Sequence, residues 1–232
     1  MSGLVDAAAA MMRMSSQRID NAALNVANVS TPGYKRQVRS SAAANELFDA
    51  TLARMRVDLR DGKLTETSRP FDLAISGDGF FALRAGERIV YSRQGAFTLD
   101  RDGHLASPQG YILQQRGGGD LTIDARAATV SADGTVLDGA RPIGRVAVVR
   151  PRGADDLVAI DGGVFAIADE AAETIDTPLV RAGALEASNV SLGDEMVGMM
   201  GAMRSAETGA RLIQVYDELL GKAISAFGQA AR

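Results

Sequence analysis

The chain has no cysteine. That absence removes disulfides, thiolate metal sites and cysteine nucleophiles together, and it leaves the redox compartment unread. Histidine is nearly absent too: His104 is the only one and it follows a turn, so a serine triad, a histidine-rich metal site and a histidine proton relay all lack parts. Positive charge is not in excess, since 25 Lys and Arg face 29 Asp and Glu for a net charge of −4, with a pI of about 5.1. A nucleic-acid partner would need a basic stripe against phosphates, and there is none. No apolar run reaches the roughly 18 residues that cross a bilayer, so no transmembrane segment is expected. The apolar segment from Leu4 to Met14 has no Lys or Arg before it and keeps its phase beyond Arg18, which reads as retained helix rather than a cleaved signal. Asp100 and Asp102 flank a tight turn and suit backbone bonding there better than a glycosidase pair. No catalytic residue, cofactor-binding residue or metal ligand is assigned, and the chain is not read as an enzyme.

What the sequence does have is a seven-residue apolar repeat at each end. The N-terminal stripe is Val5, Ala8, Met12, Ser15, Ile19, Ala22, Val26 and Val29. The C-terminal stripe is Leu192, Met196, Met199, Met203, Ala206, Ala210, Ile213, Asp217, Leu220, Ile224 and Phe227, with Asp217 as its lone polar member. Alternating steps of three and four residues make a coiled-coil seam, and the small residues on it imply close helix approach. The first helix should end near Asn28, because Ser30, Thr31, Pro32 and Gly33 combine a helix breaker with a permissive glycine. Ser191 should cap the second helix. Gly198, Gly201, Gly209 and Gly221 fall off the seam, and each costs about 0.8 to 1 kcal/mol relative to alanine. Such an arm should be loose alone and firm when packed.

Between the ends the period changes to two. Phe71, Leu73 and Ile75 alternate, Gly77 to Gly79 turn, and Phe80, Phe81 and Leu83 follow, which is a hairpin signal. Further short strands are expected at 89–91, 96–99, 111–114, 121–123, 129–131, 135–137, 146–149 and 164–167, with Asp102-Gly103 and Asp133-Gly134 as turns. The fold class is therefore α+β: terminal helices forming a coiled-coil arm, and a central mainly antiparallel β-domain, barrel- or sandwich-like. Residues 1–36 and 186–232 are assigned to the helical part, 37–69 to a linker with a weak helical pattern in Phe48, Leu52 and Met55, and 70–185 to the β-domain.

Six stretches carry a resemblance: residues 24–36 (LNVANVSTPGYKR), 73–81 (LAISGDGFF), 91–97 (YSRQGAF), 100–105 (DRDGHL), 110–111 (GY) and 183–190 (GALEASNV). Together they resemble the bacterial flagellar rod and hook proteins over nearly the whole chain, departing at Ala206 and Gly209, where bulkier residues are common. The resemblance implies a structural axial protein whose helices line an inner tube and whose β-domain lies outside. It also implies export by the flagellar type III apparatus without signal cleavage, and other rod proteins and further copies of this chain as partners. Subunit contacts are then expected along both stripes and at Asn28, Thr31 and Gly33, although Asn28 and Gly33 serve equally as a plain helix exit. Lys35 and Arg36 read as a solvated pair. The rival reading is a coiled-coil cell-surface fibre or binding module.

Overall fold

The computed structural model describes residues 3–39, 55–123, 128–153 and 156–230. It is α+β, with a helix at each end and antiparallel strands between. Two compact units are distinguished, one built on the two helices and the other on the described residues between Asn28 and Val190.

In the helical unit, α1 is Gly3–Ala27 and α2 is Leu192–Ala230. The Ser191 hydroxyl accepts the Asp194 amide at 3.4 Å, and the Ser191 carbonyl accepts the Glu195 amide at 3.0 Å, so the start of α2 is capped as its sequence implies. The helices pack on each other through a repeat of small side chains. Along α1 the buried positions Ala8, Ser15 and Ala22 recur every seventh residue, and along α2 Glu195, Ala202 and Gly209 do the same. A Cβ added at Gly209 would stand 2.8 Å from Met12 Cγ and 3.2 Å from the Ala8 carbonyl oxygen, so the missing side chain is what lets the helices meet. Gly209 was expected off the seam; it sits at the closest approach. The packed stripe of α2 is thus rotated by about one residue from the one traced through the largest apolar residues. Met199, Ala206, Ala210 and Ile213 are half-buried, whereas Leu192, Met196, Met203, Asp217 and Leu220 are exposed. The side chains of Ile224 and Phe227 lie outside those described. On α1, Val5, Met12, Ile19 and Val26 are half-buried beside the buried small residues.

The strands are β1 (Gln37–Arg39), β2 (Met55–Val57), β3 (Leu64–Glu66), β4 (Leu73–Ile75), β5 (Phe80–Ala85), β6 (Arg88–Ser92), β7 (Thr98–Leu99), β8 (Leu105–Ala106) and β9 (Ile112–Leu113). They continue with β10 (Ala128–Val130), β11 (Thr135–Asp138), β12 (Arg141–Arg145), β13 (Val148–Pro151), β14 (Leu157–Asp161), β15 (Val164–Ile167), β16 (Ala172–Thr174), β17 (Val180–Ala182) and β18 (Ala184–Glu186). The main sheet runs β14-β15-β6-β5-β9-β8-β7, with β13 beside β5 and β16 beside β13. β10-β11-β12 form a second sheet, and β1-β2, β3-β18 and β4-β17 are separate pairs. All these pairings are antiparallel, and the main sheet is an open path rather than a closed barrel.

β5 explains how this sheet is held. Phe81 and Leu83 point into one core, with Leu73, Phe97, Leu105, Leu113, Leu121 and Val136, while Phe80 and Ala82 point into another, with Tyr91, Val149, Leu157 and Phe165. Both faces are buried, which is why the sequence here is a continuous apolar run rather than an alternation. Phe80 meets Phe165, and Phe81 meets Phe97, each edge to face at 5.5 Å between centroids. The Asp102-Gly103 and Asp133-Gly134 turns do join hairpins, β7–β8 and β10–β11. The hairpin expected across Gly77 to Gly79 does not form: β4 pairs with β17, not with β5. The stretch read as a linker contributes β1, β2 and β3; the weak helical pattern falls partly on Phe48 and Leu52, outside the described residues, and its last member, Met55, opens β2.

Candidate functional site

Where the chain enters the β-unit, Thr31 donates its amide to the Asn28 carbonyl at 3.1 Å and its hydroxyl to Asn28 Oδ1 at 3.2 Å, which closes the helix exit. Gly33 follows with φ of +69°, a left-handed conformation suited to glycine. Its amide donates to the Glu186 carbonyl at 2.7 Å, and a Cβ there would lie 2.2 Å from the Arg93 carbonyl carbon. Entry, exit and centre of the unit therefore meet at one point. Gly33 is occupied inside its own chain, as the helix-exit reading of Asn28 and Gly33 requires.

Behind Gly33 lies an ion cluster. Lys35 Nζ donates to Glu186 Oε1 at 2.7 Å and to the Arg60 carbonyl at 2.7 Å. Arg93 Nη1 donates to Glu186 Oε2 at 3.1 Å, and the Gly62 amide reaches Glu186 Oε1 at 2.8 Å. Side-chain exposure is 1% for Lys35 and Glu186 and 3% for Arg93, so this is not the solvated pair expected of Lys35. Asp61, largely exposed, stands 3.8 Å from Lys35 and 3.7 Å from Arg93 and completes the charge balance. Burial pushes the Lys35 ammonium below its ordinary pKa, and Arg93 adds to that, while the hydrogen bond and charge of Glu186 push it back up. The Arg93 guanidinium also lies 5.4 Å from the centre of the Phe80 ring, tying the cluster to the second core.

Asn189 finishes the clasp. Its Oδ1 accepts the Arg36 amide at 2.6 Å, and its Nδ2 donates to the Asp58 and Arg60 carbonyls at 2.9 Å each. Its side-chain amide joins the incoming and outgoing chain. Two glycines are required by close approach: a Cβ at Gly62 would fall 1.8 Å from the Ala187 carbonyl oxygen, and one at Gly95 would fall 1.6 Å from that of Leu73. Lys35, Arg93 and Glu186 are sealed from solvent, and their bonds hold backbone segments together. The one signal that could have found it is that Lys35, Arg93 and Glu186 each sit inside a different resemblance block.

Asp100 Oδ1 accepts the amides of Asp102 and His104 at 2.9 and 2.8 Å, and Oδ2 lies 3.3 Å from the His104 ring. The three side chains lie close enough together to share an ion. The backbone bonds make this the self-bonded turn that the spacing implies.

Residues 74–137 match the family described as the flagellar hook protein FlgE/F/G D1 domain, and residues 181–226 match the flagellar basal body rod FlgEFG protein C-terminal family. The chain is 32% identical to the flagellar basal-body rod protein FlgF of Caulobacter vibrioides, over 92% of this chain and 93% of that protein. It is 29% identical to FlgF of Escherichia coli over 91% and 94%, and 27% identical to the rod protein FlgG of Bacillus subtilis over 92% and 95%. The matched C-terminal family begins within the segment that carries Glu186 and Asn189. FlgF is favoured over FlgG, and the chain belongs to the flagellar basal-body rod protein family as a structural subunit of the basal body.

Proposed function

We propose that this chain polymerises head to tail into the helical rod that carries torque from motor to hook, without catalysis. Its terminal helices join those of neighbouring copies and related rod subunits as a coiled coil, and both heptad stripes, from Val5 to Val29 and from Leu192 to Phe227, belong to that contact. The observation that carries the reading is that packing α1 on α2 leaves many large apolar side chains outside. Met196 is 55% exposed and Leu219 60%. Each such side chain recovers about 1.5 to 3 kcal/mol only when a further surface covers it. A head-to-tail contact that does not close into a ring builds a helical tube.

In this reading residues 1–36 and 186–232 form the axial layer, 70–185 the β-body, and 37–69 the connection. No described helix is long and apolar enough to cross a membrane. The chain reaches the basal body through the flagellar type III export apparatus with its first helix retained. The test is sedimentation and electron microscopy of the purified chain mixed with other rod subunits. The native chain should enter long assemblies, and Met196→Asp should stay out of them while its β-unit melts as before. Equal assembly of the two chains, or no assembly of the native one, overturns the proposal. Asp217→Leu separately tests whether that exposed seam residue sets register.

A further inference from the structure

Every sulfur in this chain is a thioether, because there are nine methionines and no cysteine. Four of them, Met196, Met199, Met200 and Met203, fall at i, i+3, i+4 and i+7 of α2, the spacing that puts side chains on one face. Met196, Met200 and Met203 are 55%, 52% and 46% exposed. Met199 is half-buried, and Met12 is held against Gly209 where the two helices touch. α2 thus gathers three open thioethers within two turns, while Met12 and Met199 are half-buried.

We propose that Met196, Met200 and Met203 form an oxidation site through which hydroperoxides control entry into the assembly. A hydroperoxide transfers its terminal oxygen to Sδ: the O–O bond breaks, a sulfur–oxygen bond forms, sulfur loses two electrons, and the peroxide leaves as water or an alcohol that keeps the proton. The sulfoxide is polar, so it spoils an apolar contact face while leaving the helix intact, and methionine sulfoxide reductases reverse it. The consequence for assembly rests on the proposed function, since that reading places this face against neighbouring helices. In the finished assembly the same sulfurs are covered, so the free subunit is the sensitive species.

The experiment treats the full chain with hydrogen peroxide, reads each methionine by peptide mass spectrometry, and then measures assembly with other rod subunits. Met196, Met200 and Met203 should oxidise about tenfold faster than Met12 and Met199, because susceptibility follows exposure. Treated chain should assemble several-fold less than untreated, and reductase should restore it. Met14→Leu should leave the peroxide sensitivity in place, whereas in Met196→Leu/Met200→Leu/Met203→Leu the treated-to-untreated ratio should return to one. Equal oxidation rates at shielded and open sulfurs, or undiminished assembly of treated chain, overturns the inference. Failure of the untreated chain to assemble counts against the proposed function instead, and the rate comparison still decides whether the site exists.

Discussion

The helical unit and the β-unit solve the burial problem in opposite ways. In the β-unit the largest side chains go inside: Phe80, Phe81, Phe165, Leu83 and Leu113 are fully buried, and the sheet has a core on each face. In the helical unit mostly small residues go inside, Ala8, Ala22, Ala202 and Gly209 beside the polar Asn25 and Glu195, and large residues such as Met196, Val197 and Leu219 remain outside. The first arrangement buries its aromatic core within one chain, with Ile89, Val158, Ile160 and Leu179 left at its surface. The second reserves its apolar surface, as a part of a larger assembly must.

The sharpest way to break this contrast is Glu186→Ala, which removes the buried counter-charge of Lys35 and Arg93 and leaves them only the exposed Asp61. Losing one partner of a buried ion cluster costs about 3 to 5 kcal/mol, so calorimetry should show the β-unit melting far lower while helix content is kept. A loss under 1 kcal/mol would show that the clasp does not hold the unit. Next comes Gly209→Leu, a small-to-large change at the helix contact, which should cost about 1 to 3 kcal/mol in the helical unit. Met200→Ala on the exposed face should stay within about 0.5 kcal/mol for the isolated chain, the reverse of a core methionine. If both changes behaved alike, the two faces of α2 would not differ as described. Ser191→Ala removes the cap of α2 and should cost about 1 kcal/mol, read from helix melting by circular dichroism.

Acid should act on the β-unit with a small effect. The Asp120 carboxylate accepts from Arg84 at 2.6 to 2.8 Å and from Gln114 at 2.7 Å, which lowers its pKa from 3.8 to about 2. The folded pKa lies below the unfolded one, so this stabilisation is present above pH 3.8 and is lost as pH falls towards 2. Because the pair is partly solvated, the loss should be under about 1 kcal/mol. Comparing melts of the native chain and Asp120→Asn between pH 5 and 2 checks it: the two curves should converge at the acid end.

Local features were legible in the sequence, and long-range ones were not. Pro32 and Gly33 mark the helix exit, Ser191 marks the entry, and Asp-Gly pairs mark two hairpins, because each depends on a few adjacent residues. The pairing of β4 with β17 was hidden, since apolar periodicity reports which face is buried and not which strand lies alongside. The burial of Lys35 was hidden for a related reason: its partner Glu186 is 151 residues away. On α2 the buried stripe lies one residue away from the expected one, because heptad spacing marks apolar residues without saying whether large or small ones meet. Gly209 looked like a defect in a helix and proved to be its point of contact.

The clasp has one more consequence. With the Asn189 amide donating to the Tyr34 carbonyl at 3.4 Å and Glu186 bound to both Gly33 and Lys35, the first and last segments of the β-unit are stitched side by side. A body sewn shut at its neck can be exchanged, enlarged or trimmed without moving its two points of attachment. Insertions or deletions inside the β-unit therefore leave its first and last segments side by side.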